Sequence, residues 1–423
     1  MRQLACDIPG REGQSVELCG WVHRIRNLGG ITFVLLRDRS GMVQLVYDEE
    51  PSFGQEAVLR VRGTVGASEK APGGYEIRAE STEVLGAPQA ELPLPVNKEL
   101  DQVGLEAILD HRIVSLRNPR IRRIFEVQSD LLASFSEALR KRGFTEIKSS
   151  KLIGSGTEGG TGLFPVDYFG ETLCLAQSPQ FYKQAMVASG LERVFEIGAA
   201  YRAEKHDTAR HLNEYVSLDV EMAFIDSDSD LMDLETEILG EMFQSLEERQ
   251  GKTLEDYGAR VPRAEEFQET PRVTYDEARQ ILKDRTGKSV FEITPEGERE
   301  LCLWALDEKG VEAVFVTAFP RKKRPFYTSP EGMKTRSFDL LFRGLEITTG
   351  GQRIHQYQEL LEALPRFGLT EEGLGDYCSV FRYGCPPHGG FAIGLERLTQ
   401  KILGLQNVKE ASLFPRDRKR FRP

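Results

Sequence analysis

The sequence predicts an α+β protein: a small N-terminal five-stranded β-barrel, then a larger domain of antiparallel sheet flanked by helices. Three observations point there. Five short strand-like runs crowd into residues 16–84. Apolar residues recur at helical spacing over 121–139 and again over 231–246, the period of helices with one buried face. The remaining strand-like segments follow one another without repeated strand–helix–strand units, which disfavours a parallel, doubly wound sheet.

A chain of 423 residues has room for two or three domains. Its 40% hydrophobic and 29% charged content is ordinary for a globular protein. With a net charge of −11, any contact with nucleic acid must come from local basic patches rather than from the overall field. Six cysteines are scattered without a Cys-x-x-Cys pair. That spacing argues against a thiolate zinc site or a disulfide framework and fits a reducing compartment. The N-terminal MRQLACDIPGREGQ lacks an apolar signal core, and no stretch approaches the roughly 20 apolar residues of a membrane helix. A soluble, cytoplasmic protein without membrane contact is expected.

The first domain is expected over residues 1–85. Its runs are VELCGWVHRIR, ITFVLLRD, MVQLVYDE, AVLRVRGTV and GYEIRAESTEVL, with turn signals at Asn27-Leu28-Gly29-Gly30, Arg39-Ser40-Gly41 and Ala71-Pro72-Gly73-Gly74. The commonest closed barrel of this size is the five-stranded oligonucleotide-binding (OB) fold. One face would present His23, Arg24, Arg26, Phe33 and Gln44. Basic groups beside an aromatic ring suit single-stranded RNA, although the pattern equally allows Phe33 to be core. Residues 86–110 carry three prolines and little periodicity, as a linker does. The second domain is expected over 111–423.

That domain opens with a helix. Asn118 is a capping residue, Pro119 suits the first turn and Gly143 suits the end. FTEIKSSKLIGSGTEGGTGLFPVDYF then runs from a strand into a glycine-rich loop. The Gly-Lys-Ser/Thr ending of a P-loop is missing, so the loop reads better as the carrier of one carboxylate, Glu158. LAQSPQFYKQAMVASG places Gln177, Ser178, Gln180 and Lys183 around a helix start. Such a place suits a small anion, and ordinary capping explains it as well.

Tyr201–Met222, YRAEKHDTARHLNEYVSLDVEM, is the densest polar segment, with two arginines, two histidines and several carboxylates. Arginine forks match phosphate or carboxylate, and the carboxylates could bind metal or hold the arginines. Taken alone, the segment is explained slightly better by a salt-bridged surface hairpin. An amphipathic helix is expected over Asp228–Arg249, and residues 250–310 carry no recognisable site. EAVFVTAFP reads as a buried strand, SFDLLFRGLEITTGGQRIHQY as two strands, and FRYGCPPHGGFAIGLERLTQKILGL as a turn, a glycine-rich strand and a helix.

Together these residues resemble a family. Arg202-x-Glu204 with Arg210-His211-Leu212-Asn213-Glu214 is similar to motif 2 of class II aminoacyl-tRNA synthetases, and Gly394-Leu395-Glu396-Arg397 to their motif 3. The helix at 119–142 with FTEIKSSKL is similar to motif 1. QSPQFYKQ, TEGGTGLFPV and SFDLLFRGLEITTGGQRIH narrow the resemblance to aspartyl-tRNA synthetases, over nearly the whole chain, and residues 225–335 are too short for the bacterial-type insertion, which leaves the compact archaeal type. One departure is Ser150, where motif 1 usually has a proline that stiffens the dimer-interface strand.

The resemblance implies a class II catalytic domain behind an anticodon-binding barrel, a homodimer, ATP and Mg2+ as cofactors, and L-aspartate and tRNA as substrates. It implies that Arg202 bridges the aspartate carboxylate and the α-phosphate, and that Arg397 covers the adenine. Glu204 and Tyr215 would hold the adenine, with Arg210, His211, Leu212, Glu346, Gly394, Leu395 and Glu396 completing the ATP site. Glu346 and Thr349 would bind magnesium. Glu158, Gln177, Ser178, Gln180, Lys183, Asp219, Thr349 and Arg353 would surround aspartate, with Lys183 and Arg353 pairing its side chain. Arg26, Phe33 and Gln44 would grip the anticodon. His23 and Pro72 match the non-discriminating form, which charges tRNA(Asp) and tRNA(Asn), the latter for a tRNA-dependent amidotransferase. Pro72 fits equally well as a turn proline.

Overall fold

The computed structural model describes residues 2–98, 102–154, 156, 162–205 and 207–422. It divides into two compact units, residues 1–119 and 120–423.

In the first unit β1 (Ser15–Leu28), β2 (Ile31–Arg37), β3 (Met42–Tyr47), β4 (Val58–Ala67) and β5 (Tyr75–Gly86) close a barrel in the order β1-β2-β3-β5-β4. All pairs are antiparallel except β3 with β5. Val16, Leu18, Val22, Val34, Leu36, Val43 and Leu45 fill it, at the period of two that puts alternate side chains inside.

The alternation breaks once. The β1–β2 register slips between Val22 and Arg24, so His23 is an extra residue in β1. A bulge reverses the in–out parity downstream. Arg24 and Arg26 consequently share the outer face with Phe33 and Gln44: Arg26 lies opposite Phe33, and Leu35 opposite Gln44. Arg26 is exposed and Phe33 half-buried outside the core, which decides the question left open about this ring. His23 itself is a correction. It is only 7% exposed and turns inward, where its Nδ1 meets Arg37 Nη1 at 2.7 Å. Arg37 donates a two-pronged fork to Glu56, 3.0 Å on each arm. Pro72 is exposed at the head of a turn whose Gly73 has φ 75°.

The second unit is built on an eight-stranded sheet. Its members are β6 (Thr145–Glu146), β10 (Arg193–Tyr201), β11 (Glu214–Ala223), β12 (Arg272–Thr274), β13 (Ala313–Thr317), β16 (Ser337–Phe342), β17 (Leu345–Gln352) and β18 (His388–Gly394). Their order is β12-β13-β16-β17-β18-β11-β10-β6. Only the edge pairs β6–β10 and β12–β13 are parallel. Two small sheets stand apart: β7 (Leu152–Ile153), β8 (Pro165–Tyr168) and β9 (Glu171–Leu175) form one, β14 (Pro330–Glu331) and β15 (Lys334–Thr335) the other.

The helix Pro119–Lys141 presents Leu131, Phe135 and Leu139 to this sheet, and the helix Ser229–Asp256 presents Leu231, Ile238, Met242 and Leu246. Phe135 meets Phe195 of β10 edge-on at 5.9 Å between ring centroids. Truncating such a buried ring costs about 3–5 kcal/mol. The first helix ends at Gly143 (φ 77°) as its sequence requires. Ser150 holds its own turn: its hydroxyl donates to Leu152 O at 2.9 Å and accepts from Leu152 N at 3.3 Å. Residues 250–310, which carry no motif, form the short helix Ala264–Gln268 and two longer ones, Tyr275–Thr286 and Pro295–Lys309. The longer pair is capped alike. Each starts at a threonine cap and ends at a left-handed glycine. Among the described residues no helix is long and apolar enough to cross a membrane.

Candidate active site

Period two along β11 separates two roles. Leu218 and Val220 point into the core, while Tyr215, Ser217, Asp219 and Glu221 line the opposite face. The register carries this row across the sheet: Asp219 lies beside Ala392, Ala392 beside Thr349, and Thr349 beside Asp339.

One end of the row borders a cleft of about 790 Å³ lined by Arg202, Glu204, Arg210, His211, Leu212, Tyr215, Ser217, Glu346, Thr349, Gly394, Glu396 and Arg397. The chain turns back between β10 and β11 because Asn213 staples it. Its Nδ2 donates to Arg202 O at 2.8 Å and Glu204 O at 3.2 Å, and Arg202 N donates to Asn213 O at 2.9 Å. The Arg202 guanidinium lies 5.7 Å from the centre of the Tyr215 ring. Thr208 Oγ1 and His211 Nδ1 are 2.7 Å apart. Across the cleft, Arg397 Nη1 donates to Glu346 O at 3.0 Å and Oε1 at 3.4 Å. The Glu396 carboxylate accepts from Val216 N at 3.1 Å, tying the last helix to β11; burial raises its pKa to about 7. The Leu395 side chain belongs to the core and not to the cleft wall.

Thr349 Oγ1 donates to Glu346 Oε1 at 3.3 Å. Among the described residues no group of three or more His, Cys, Asp or Glu side chains gathers as a metal cage. A carboxylate and a hydroxyl side by side nevertheless suit magnesium, which keeps most of its shell for water and substrate phosphate. Behind them Asp339 Oδ1 lies 2.8 Å from Arg324 Nη2. Burial lifts the Asp339 pKa to about 6 against the pull of that guanidinium.

The other end of the row is a buried charge cluster. Lys183 Nζ sits 3.0 Å from Asp219 Oδ1 and 3.2 Å from Glu221 Oε2. Arg353 Nε donates to Glu221 Oε1 at 2.9 Å, and Nη2 reaches Gln180 Oε1 at 3.3 Å and Gly390 O at 3.0 Å. Burial alone would raise the Glu221 pKa; Arg353 and Lys183 outweigh it and hold the carboxyl below its ordinary value. Gly390 is required here, because a Cβ would collide with the Val220 carbonyl and the Glu221 carboxylate. Gln177 is buried beside the helix start and Ser178 half-buried. Ser217 joins the two ends: it lines the cleft and donates to Asp219 Oδ2 at 2.6 Å.

The structure thus gathers the expected ATP residues, Leu395 apart, around one cleft, and Lys183, Gln180, Asp219 and Arg353 next to it. Glu158 lies outside the described residues. Three participants went unread. Glu221 was visible only as one more alternating carboxylate. Asn213 was a motif letter without a task. Glu298 came from a segment without signals, yet it pairs with Arg210 and accepts from Glu346 N at 3.2 Å.

An antiparallel sheet whose neighbouring strands carry these two arginine motifs around a nucleotide-sized cleft is the architecture of a class II aminoacyl-tRNA synthetase. Residues 104–418 match the family model described as tRNA synthetases class II (D, K and N), and residues 16–85 match an OB-fold nucleic acid binding domain. The chain belongs to this class II family. It is 49% identical to an aspartate--tRNA(Asp/Asn) ligase of Thermus thermophilus, covering 100% of both chains. It is 46% identical to the enzyme of that name from Deinococcus radiodurans, covering 100% of this chain and 99% of the other. Among solved structures, asparaginyl-tRNA synthetase from Pyrococcus horikoshii with asparaginyl-adenylate superimposes with a TM-score of 0.93 at 31% identity over 100% of both chains.

Proposed function

We propose that the protein attaches L-aspartate to tRNA through an aspartyl-adenylate and that it charges both tRNA(Asp) and tRNA(Asn). The carrying observation is the buried Lys183–Asp219–Glu221–Arg353 cluster, joined to the nucleotide cleft by Ser217. Lys183 and Arg353 turn two cations toward the place of the substrate side chain. An aspartate carboxylate meets them with opposite charge and acceptor oxygens, whereas the amide of asparagine would set donors against donors. This complementarity supports aspartate although the superimposed structure is an asparaginyl enzyme. The names of the two relatives above support the same choice and the charging of both tRNAs.

In the reaction, the aspartate α-carboxylate attacks the α-phosphorus of ATP, the bond to the β-phosphate breaks, and pyrophosphate leaves. A ribose hydroxyl at the tRNA 3′ end then attacks the activated carbonyl and displaces AMP. The residues act by positioning and charge neutralisation. Arg202 spans the substrate carboxylate and α-phosphate, with Tyr215 beneath the adenine, Glu204 on its amino edge and Arg397 over its other face. Arg210 and His211 face the outer phosphates, and Leu212, Gly394 and Glu396 complete the pocket. Lys183 and Arg353 meet the aspartate side chain; Asp219, Gln177, Ser178 and Gln180 face its ammonium and main carboxylate, together with Glu158. Glu346 and Thr349 are suited to hold Mg2+, which supplies charge neutralisation on the phosphates.

Arg26, Phe33 and Gln44 offer a cation, a ring and an amide on one barrel face for the anticodon bases, as stacking recognition of single strands requires. His23 and Pro72 accompany relaxed choice of the third base. The helix Pro119–Lys141 and the strand after it serve as the homodimer interface, the setting is the cytoplasm, and a tRNA-dependent amidotransferase takes Asp-tRNA(Asn). Labelled aspartate with each purified tRNA tests the reading: both become charged at comparable rates. Charging of tRNA(Asp) alone overturns the relaxed specificity, and charging of neither overturns the assignment.

A further inference from the structure

Behind the buried charge cluster, a further layer of polar side chains joins the two elements that carry its cations. Lys183 and Gln184 are neighbours on the helix Gln180–Met186, and both are buried. Lys183 faces Asp219 and Glu221. Gln184 has other partners: its Nε2 stands 2.8 Å from His388 Nε2, and its Oε1 accepts the Tyr377 hydroxyl at 3.1 Å. His388 opens β18, has no exposed surface, and its carbonyl accepts Arg353 N at 2.9 Å. One side-chain contact, Gln184 to His388, therefore ties the helix of Lys183 to the backbone that holds Arg353.

The protons along this chain of groups are fixed from its ends. His388 Nδ1 lies 2.8 Å from Pro386 O, which can only accept, so the ring proton sits on Nδ1. Nε2 is then bare and takes a hydrogen from the Gln184 amide. Burial lowers the His388 pKa below 6.5 against the opposing Glu221 charge, and an uncharged ring suits a place behind two cations. At the far end, the Tyr377 ring stacks on Phe181 of the same helix, with centroids 4.2 Å apart. None of the three polar side chains lines the nucleotide cleft.

We propose that the Gln184–His388 hydrogen bond is a positioning link that holds Lys183 and Arg353 at the separation an aspartate side chain bridges. The proposal rests on the reading of these two cations as the groups that meet that side chain. A pair that merely filled the core would disturb aspartate and ATP alike when broken. A link between these two elements disturbs aspartate alone, and misplacing a binding group by about 1 Å can cost about a hundredfold.

The test compares His388→Asn with His388→Gln, each in the full-length chain. The amide of the first ends near the place of Nδ1 and falls short of Gln184; the amide of the second ends near the place of Nε2 and still offers an acceptor. In aspartate-dependent pyrophosphate exchange, His388→Asn raises the KM for aspartate at least about tenfold and leaves the KM for ATP within about twofold. His388→Gln keeps both within about threefold. Gln184→Met, which keeps the length of the side chain and removes its hydrogen bonds, reproduces the aspartate defect and serves where His388→Asn does not fold. An unchanged aspartate KM in the variants that break the bond, equal rises in both constants, or equal damage by His388→Asn and His388→Gln overturns the proposal. An unchanged aspartate KM in Lys183→Met overturns instead the placing of the substrate side chain beneath it.

Discussion

Arg353 grips Glu221 from two sides, Nε to Oε1 at 2.9 Å and Nη2 to Oε2 at 3.3 Å, and neither side chain is exposed beyond a few per cent. The pair sits where the substrate side chain is proposed to bind. Glu221 thus stands between two buried cations, Lys183 and Arg353, and it aims the Arg353 fork.

Glu221→Gln should therefore damage more than binding. Removing one partner of a buried ion pair costs about 3–5 kcal/mol, so urea denaturation should show a loss of that order. Among molecules that remain folded, the KM for aspartate in pyrophosphate exchange should rise by at least about tenfold, with the KM for ATP little changed. Equal damage to both constants would remove Glu221 from the aspartate pocket. Gly390→Ala should reproduce the aspartate defect without changing any charge, because its methyl group must displace the same carboxylate.

Arg210 offers a separable test on the nucleotide side. Glu298 holds this guanidinium and also takes Glu346 N at 3.2 Å, so one carboxylate orients the cation proposed to face the phosphates and the strand that bears Glu346, the carboxylate proposed to hold magnesium. Glu298→Ala leaves the part-buried Glu346 N–H without this acceptor, a loss of about 1 kcal/mol. The expected result is a KM for ATP raised about tenfold with the aspartate KM unchanged. A variant with wild-type ATP kinetics would show that Arg210 needs no such support.

These two residues mark where sequence reading stopped. The barrel was legible because each strand is short, alternating and closed by a glycine turn, and the ATP cleft because its residues come in two contiguous motifs. Lys183 and Arg353 were legible as cations, but their resting partner Glu221 was not, since alternation along β11 places Asp219 and Glu221 alike and only the neighbouring strands distinguish them. Glu298 lies 48 residues before Glu346 on a helix with ordinary caps, and nothing local marks its one inward-facing carboxylate. His23 was misplaced because a bulge is a property of two strands in register.

Glu235 predicts an unusual pH dependence. It is fully buried under the sheet, and burial, against the nearby Thr348 hydroxyl, lifts its pKa from 4.5 to about 8. The folded state keeps a proton that the unfolded state has lost, so this stabilisation is complete below pH 4.5 and disappears as pH rises through 8. Glu235→Gln mimics the protonated form. Relative to the unsubstituted protein it should gain at least about 1 kcal/mol at pH 8.5 and nothing near pH 4.5. Denaturant midpoints at the two pH values measure this, and an identical gain at both would show that Glu235 is already ionised in the fold.

His23 works in the opposite direction. Burial, and next the Arg37 charge, lower its pKa from 6.5 to about 4, with Glu56 opposing. Below pH 6.5 the unfolded chain takes up a proton that the folded barrel refuses, so stability falls between pH 6.5 and 4. His23→Gln should remove that acid-side loss, as followed by Trp21 fluorescence. His23→Trp tests the specificity role against this geometry. The indole cannot occupy the imidazole's place against Arg37, and overpacking of this kind costs about 1–3 kcal/mol, so the single substitution should destabilise the barrel and shift the bulge that turns Arg24 and Arg26 outward. Combined with Pro72→Lys, it should weaken charging of tRNA(Asn) more than of tRNA(Asp). Equal weakening of both would mean that His23 only builds the barrel and that the choice of third base lies elsewhere.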